Sequence, residues 1–423
     1  MNIFSDGYQP VEVKGRKVQE VIKVGSVHSQ EDSLELVFYL KGEKDIRGMA
    51  ERLARDETTG SWVGKGSPTA LFQKAMADID KIYVYGKGEG VIIMRTPLSN
   101  TQKDNLLYQI MMLAVGGPVL EFVYYSSVAF LDFRLPEKVL KKFPGPGFGL
   151  KGIRKLLGIR YPRPIMGTII KPCAGLTPEE VAEKCYQAAR GGCQFIKDDE
   201  KMLGPEYCPE EKKIKLVSQA LRKAYKETGN RCIYAPHLVA RADKLLEKAR
   251  RFIHWGATGL MLNVILGHNM EVLQMLRECP DINVPLYAHS GGRSGISTGP
   301  RRIDDTVWVK LVRLAGGDFF QHGVFGVQDV HVCSREKGLL KHLIRVMREE
   351  KTGIKDMIPV AAGGLSLEKI PENLREHYQE KFGYGVALLA GSHLLNDPAG
   401  PEEASRKIAG LIDSFCQQPK KHR

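Results

Sequence analysis

From about residue 160 onward, short apolar runs alternate with amphipathic stretches at a steady interval. The runs fall at 164–170, 194–197, 232–235, 259–263, 285–289, 318–322, 358–361 and 386–390. Between them, residues 178–190, 210–227, 241–255, 270–278, 304–315 and 335–350 carry apolar positions at helical spacing, several opened by a Thr or Pro. This alternation predicts repeated βα units on a parallel sheet. Eight strands, each followed by a helix, read as a C-terminal (β/α)8 TIM barrel, whose active site is built at the C-terminal ends of the strands.

Residues 1–148 do not keep that interval. Strand patterns at 34–40, 81–85, 90–95 and 122–129, with helical patterns at 46–55 and 105–112, predict a smaller N-terminal α+β domain. The run Phe143-Pro144-Gly145-Pro146-Gly147-Phe148-Gly149 stops both element types and reads as a linker, so the barrel domain is expected over 149–423. A length of 423 residues suits this α/β arrangement of a small domain plus a barrel.

Composition narrows the function classes. A hydrophobic fraction of 43% and a charged fraction of 26% are those of a globular chain, not of a disordered one or a coiled coil. The net charge of +13, from 62 Lys+Arg against 49 Asp+Glu, favours anionic partners. The basic residues are spread along helices without an aromatic-interleaved RNA motif or a zinc finger, which points to solvated faces and phosphorylated metabolites, not nucleic acid. The basic tail Lys420-Lys421-His422-Arg423 reads as a frayed end. Eight cysteines without a C-x-x-C pair, no secretory signal and no apolar run of membrane length place the chain in a reducing, cytoplasmic compartment with no membrane partner.

The chemistry concentrates at two strand ends. Ile170-Lys171-Pro172-Cys173-Ala174-Gly175-Leu176-Thr177 closes the first barrel strand, and Phe195-Ile196-Lys197-Asp198-Asp199-Glu200 closes the second. A lysine beside three carboxylates is an odd way to build a core, but it suits a hard divalent cation such as Mg²⁺, which wants several oxygen ligands. Glycine turns at Ala362-Gly363-Gly364 and Gly391-Ser392, after the seventh and eighth strands, lie where barrels often hold phosphate on backbone N–H groups.

These stretches resemble the large chain of ribulose bisphosphate carboxylase (RuBisCO) and its non-carboxylating relatives, the RuBisCO-like proteins. The resemblance runs from Thr58-Thr59-Gly60-Ser61-Trp62 to Gly391, with residues 192–200 its most specific part. It implies that Lys197 takes up CO₂ as a carbamate and joins Asp199 and Glu200 as Mg²⁺ ligands, while Asp198 braces the loop. It implies that Lys171 exchanges protons with the substrate carbon, that His289 contacts substrate oxygens or phosphate, and that Gly363, Gly364, Gly391 and Ser392 receive a phosphate. A dimer is the implied minimum unit, since Trp62 and Lys65 follow a turn that in this family reaches a neighbouring subunit's site.

Departures from the family pattern bear on the reaction. Carboxylases carry a lysine on the loop after the sixth strand, and residues 322–330 contain none; the first one beyond is Lys337. Cys173 stands where they have a second lysine, Ser290 where they have a phosphate arginine, Asp56 near a small-domain glutamate, and Val115-Gly116-Gly117-Pro118 where an asparagine is expected. Arg293 is a candidate replacement for the phosphate arginine, and His237 and His268 are candidates facing the site or supporting it. What survives is the part that makes or stabilises an enediolate, with Lys171 expected to be partly neutral beside the cation in a dry pocket. The expected function is a Mg²⁺-dependent carboxy-lyase or isomerase, foremost a 3-oxo sugar-acid phosphate decarboxylase. An enolase of methylthio-sugar phosphates in methionine salvage is the first alternative, and a non-catalytic binder of a phosphorylated ligand or partner is another.

Overall fold

A computed structural model describes the chain except residues 1–7, 103, 161, 269, 328–335, 350–352, 380–383 and 419–423. The chain divides into two compact units, residues 1–143 with 292–311 and residues 144–291 with 312–423. The expected single boundary after residue 148 is therefore replaced by a division in which a later segment returns to the first unit.

In the first unit, β1 (Glu20–Lys23), β2 (Ser33–Gly42), β3 (Asp78–Gly86), β4 (Glu89–Pro97) and β5 (Tyr125–Arg134) form a mixed sheet. The order is β1-β3-β4-β2-β5, antiparallel throughout, and it continues into β11 (Arg301–Ile303), which pairs parallel to β5. Alternate residues Val37, Tyr39, Val91, Ile93, Ala129 and Leu131 point to one face and pack with Tyr83 and Tyr85. Helix Ile46–Asp56, capped by the Asp45 carboxylate accepting from Gly48 N, buries Met49, Ala50, Leu53 and Ala54.

The second unit is the barrel. Strands β6 (Ile165–Ile169), β7 (Phe195–Lys197), β8 (Ile233–Ala235), β9 (Leu260–Asn263), β10 (Leu286–His289), β12 (Phe319–Gln321), β13 (Ile358–Ala362) and β14 (Ala387–Ala390) are all parallel. Their order, β8-β7-β6-β14-β13-β12-β10-β9, closes where Leu238 N donates to Met261 O (2.7 Å) and Met261 N to Pro236 O (3.0 Å). Each of the eight overlaps the run expected for it.

Period-two alternation decides what fills this barrel. Ile165, Phe195, Ile233, Met261, Tyr287, Phe319, Ile358 and Ala387 point inward, with helix Gly149–Leu157 packing Leu150, Ile153 and Leu157 against them. The rings of Phe195 and Phe319 approach to 4.7 Å between centroids and those of Phe195 and Tyr287 to 5.7 Å. Two residues further along, the same inward column carries Lys197, His289 and Gln321, so the apolar plug gives way to polar side chains at the C-terminal mouth. Gly167 permits this packing, because a Cβ there would lie 2.3 Å from Phe195 O.

Candidate active site at the barrel mouth

The loop after β6 is fixed at its far end by a capping box: Thr177 Oγ1 accepts from Glu180 N, and the Glu180 carboxylate accepts from Thr177 N (2.7 Å). Pro178 at the first helical position adds its preset φ. At its near end the loop carries Lys171, whose Nζ donates to Asp199 Oδ2 at 2.5 Å. The ends of neighbouring strands thus meet through one short ion pair.

Lys197 is wholly buried, with Nζ donating to Asp198 O (2.9 Å) and lying 5.4 Å from the centre of the Tyr287 ring. Burial drives its pKa down to about 8, against the opposing pull of Glu200, Asp199 and Asp198. A substantial fraction of this amine is therefore neutral near pH 8, the form that attacks CO₂. Lys171 moves the other way: burial would lower its pKa, but the Asp199 contact, with Cys173 and Glu200 adding to it, outweighs burial and raises it. Without a cation at the site, the carboxylate beside Lys171 is thus a stronger influence than the low dielectric. Asp199 is held below the usual carboxylate range; burial opposes this, but Lys171 and the N–H of Lys201 prevail.

Asp198 faces away from this exchange. It is fully buried, accepting from Tyr234 Oη (2.8 Å), from His237 N (3.1 Å) and from Lys213 Nζ. Lys213 lies on helix Glu210–Thr228 in a Glu-Glu-Lys-Lys-Ile-Lys run that reads as a solvated face, and sequence reasoning missed it. Its burial partner comes only through space. His237 contributes its backbone to Asp198, and burial pushes its ring pKa down to about 4.

Glu200 is the more open carboxylate, about a third exposed, with Oε2 3.3 Å from His289 Nε2. Gly291 N donates to His289 Nδ1 (3.1 Å), which leaves the proton of a neutral ring on Nε2, directed at Glu200. Asn263, ending β9, donates from Nδ2 to Gly291 O (3.1 Å) while its Oδ1 accepts from Ile265 N and Leu266 N, so it ties this loop down. The glycine turns reach the same mouth: a Cβ on Gly391 would lie 3.8 Å from Lys171 Cγ, and one on Gly363 would lie 3.3 Å from Gln321 Nε2. Gly363 and Gly364 have φ of 92° and 80°, which orders two successive residues in the left-handed region. Ser392 opens the short helix Ser392–Leu395.

Lys171, Lys197, Asp199, Glu200, His289 and Gly391 are thus linked by chains of contacts within the barrel. Arg293 is placed in the other unit, buried, with Nε 3.1 Å from Asp305 Oδ1. The loop after β12 is described only to Val327, so residues 328–330 of the expected lysine-free stretch, and Cys333, lie outside the described residues, as does the basic tail at 420–423. Among the described residues no group of three or more His, Cys, Asp or Glu side chains is arranged to hold a metal ion. Two carboxylates alone are a poor magnesium site. Asp199 and Glu200 would need a third anionic oxygen donor from Lys197, and its amine, buried and tuned to about 8, has the chemistry to accept one from CO₂.

The family described as "Ribulose bisphosphate carboxylase large chain, catalytic domain" matches residues 149–400. A ribulose bisphosphate carboxylase of Methanosarcina barkeri is 30% identical over 381 residues, covering 87% of this chain and 86% of the relative. A 2,3-diketo-5-methylthiopentyl-1-phosphate enolase of Geobacillus kaustophilus is 28% identical over 394 residues, covering 89% and 91%. In fold, the chain is similar to a dimeric archaeal Rubisco from Hyperthermus butylicus, with a TM-score of 0.82 at 24% identity over 92% of each chain. The chain belongs to the RuBisCO large-chain family. Carboxylases and enolases both stand among its relatives.

Proposed function

We propose that this chain is a Mg²⁺-dependent enzyme that forms or stabilises an enediolate on a phosphorylated keto sugar or sugar acid, with decarboxylation of a 3-oxo sugar-acid phosphate as its reaction. The observation that carries this reading is the position of Lys171, whose Nζ lies 2.5 Å from Asp199 Oδ2 at the mouth of the barrel. An ammonium at that position can deliver a proton to a carbon held beside it. Decarboxylation needs only the acid. The C–C bond to the departing CO₂ breaks, its electron pair passes through the adjacent carbon to the ketone oxygen, and Lys171 Nζ then protonates that carbon.

Carbamylated Lys197, Asp199 and Glu200 would hold the Mg²⁺, which when bound polarises a carbonyl and neutralises oxyanion charge. Asp198, locked by Tyr234, His237 and Lys213, fixes the backbone on either side of it. His289 offers its Nε2 proton to a substrate oxygen in place of Glu200. The N–H groups of Gly363, Gly364, Gly391 and Ser392 take the phosphate. Arg293, engaged with Asp305, is left out of this reading. A dimer, as in the structurally similar archaeal protein, is the proposed working unit.

A second reading, enolisation of a diketo methylthio-sugar phosphate, is favoured by the enolase relative, which is 28% identical over 89% of this chain. The two separate in one assay. Purified protein with Mg²⁺ and bicarbonate is given phosphorylated 3-oxo acids and diketo methylthio phosphates in D₂O. CO₂ release with deuterium incorporation that fails in Lys171→Met supports decarboxylation. Turnover confined to the diketo substrates moves the assignment to the enolase reading, and no turnover of either class overturns both.

A further inference from the structure

A cleft of ≈ 770 Å³ opens in the first unit, a volume within the range of small-molecule sites. Every residue that lines it lies between 27 and 142, so it is a different site from the barrel mouth. Its walls are tied to one another. His28 Nε2 donates to Met76 O (2.8 Å) and Asn100 Nδ2 to Ala75 O (2.7 Å), which joins the segments before β2 and after β4 to the end of helix Ala70–Ala75, where Lys74 lies. The shape is therefore set before any ligand arrives.

The charge of this lining is one-sided. Lys74, Lys138 and Lys142 contribute to it, and Asp32 is its one acidic residue. Lys138 Nζ lies 2.8 Å from Asp32 Oδ1 and neutralises it. Among the described residues Lys74 and Lys142 make no ion pair, so two positive charges stand in excess. Beside them the lining carries apolar Leu98, Leu106 and the buried Val139. A phosphate monoester brings about two negative charges at pH 7, which matches that excess, whereas a single carboxylate brings one. Lysine binds phosphate as a point charge on a flexible stem, so it needs no preset fork geometry. A wholly apolar ligand would leave the ammonium groups unused, and a bare inorganic anion would leave the apolar wall uncovered. We propose that the cleft binds a small phosphate monoester, with its phosphate among the three lysines and its apolar body against Leu98, Leu106 and Val139. The site does not depend on the reaction assigned to the barrel.

The test is a calorimetric titration of the full chain, without Mg²⁺ and at low ionic strength, with phenyl phosphate, inorganic phosphate and phenol. Phenyl phosphate should bind about tenfold more tightly than either of the others, since it alone meets both the charge and the apolar wall. Lys74→Gln combined with Lys142→Gln should weaken its binding about tenfold. Lys23→Gln combined with Lys87→Gln, which removes the same charge from exposed positions outside the cleft, should leave it unchanged. Because the glycine turns of the barrel are proposed to take phosphate as well, amide hydrogen exchange locates the ligand, and protection is expected at residues 27–32 and 98–101. Equal affinity for phenyl and inorganic phosphate, equal weakening in the two double variants, or protection confined to the barrel overturns the site. A light-scattering mass that differs between the wild type and the Lys74→Gln, Lys142→Gln variant shows that a second copy covers the cleft, and overturns it as well.

Discussion

Lys171 and Lys197 stand at the ends of adjacent strands, yet their surroundings push their proton affinities apart. Lys197 is enclosed and loses affinity; Lys171 touches Asp199 and gains it. The motif around each was legible in the sequence, but this division of roles was not, since it depends on which lysine the carboxylate faces. Asp198 shows the same limit, because its partner Lys213 lies on a helix and only burial singles it out. Asp198→Asn leaves Lys213 buried without its counter-charge, and we expect a loss of about 3–5 kcal/mol in unfolding free energy, measured by chemical denaturation. Glu57 supplies a pH dependence in the first unit. It is buried and accepts from Gly117 N (3.1 Å) and Val119 N (2.9 Å), and burial pushes its carboxyl up to about 7. The folded state therefore binds more protons than the unfolded state between pH 4.5 and about 7. The stability this group contributes is full below pH 4.5 and is lost as pH rises through about 7, by at most about 3 kcal/mol. Melting curves from pH 5 to 8 should show that decline in the wild type and a flatter profile in Glu57→Gln.

At the scale of elements, the barrel strands were legible because each is a short buried run between helices of clear period. The helices at Pro178–Arg190 and Met270–Glu278 match the ranges expected for them. Several of the elements that escaped the reading are short and weakly patterned. Strand β1 is a mostly exposed Glu-Val-Ile-Lys edge, β11 is Arg-Arg-Ile, and helix Ala70–Ala75 buries no residue fully. Strand β11 also explains why the division of the chain was missed, since its pairing with β5 takes its segment away from the barrel run. The Thr177–Glu180 box, by contrast, ends the Lys171 loop with a motif visible in the sequence. Thr177→Ala should cost about 1 kcal/mol in denaturation measurements. A loss below about 0.3 kcal/mol would show that the loop is set by its neighbours instead.

For the whole molecule, the family assignment accounts for both units, and the proposed reaction rests on a few positions at the barrel mouth. Among the described residues no helix is long and apolar enough to cross a membrane. Seven of the eight cysteines are described, and all seven are free thiols. The proposed dimer predicts a light-scattering mass of twice 47.2 kDa in solution. A monomer that nonetheless turns over substrate would remove the need for a second chain at the site.

In the proposed site, Lys197 becomes an oxygen ligand by taking up CO₂ and so completes a magnesium site with Asp199 and Glu200. Calorimetric titration with Mg²⁺, with and without ¹³C-bicarbonate near pH 8, tests it without reference to turnover. The expected result is Mg²⁺ binding that strengthens with bicarbonate, a ¹³C carbamate resonance, and loss of both in Lys197→Ala. Equal Mg²⁺ affinity with and without bicarbonate, or a carbamate signal that persists in Lys197→Ala, would contradict it.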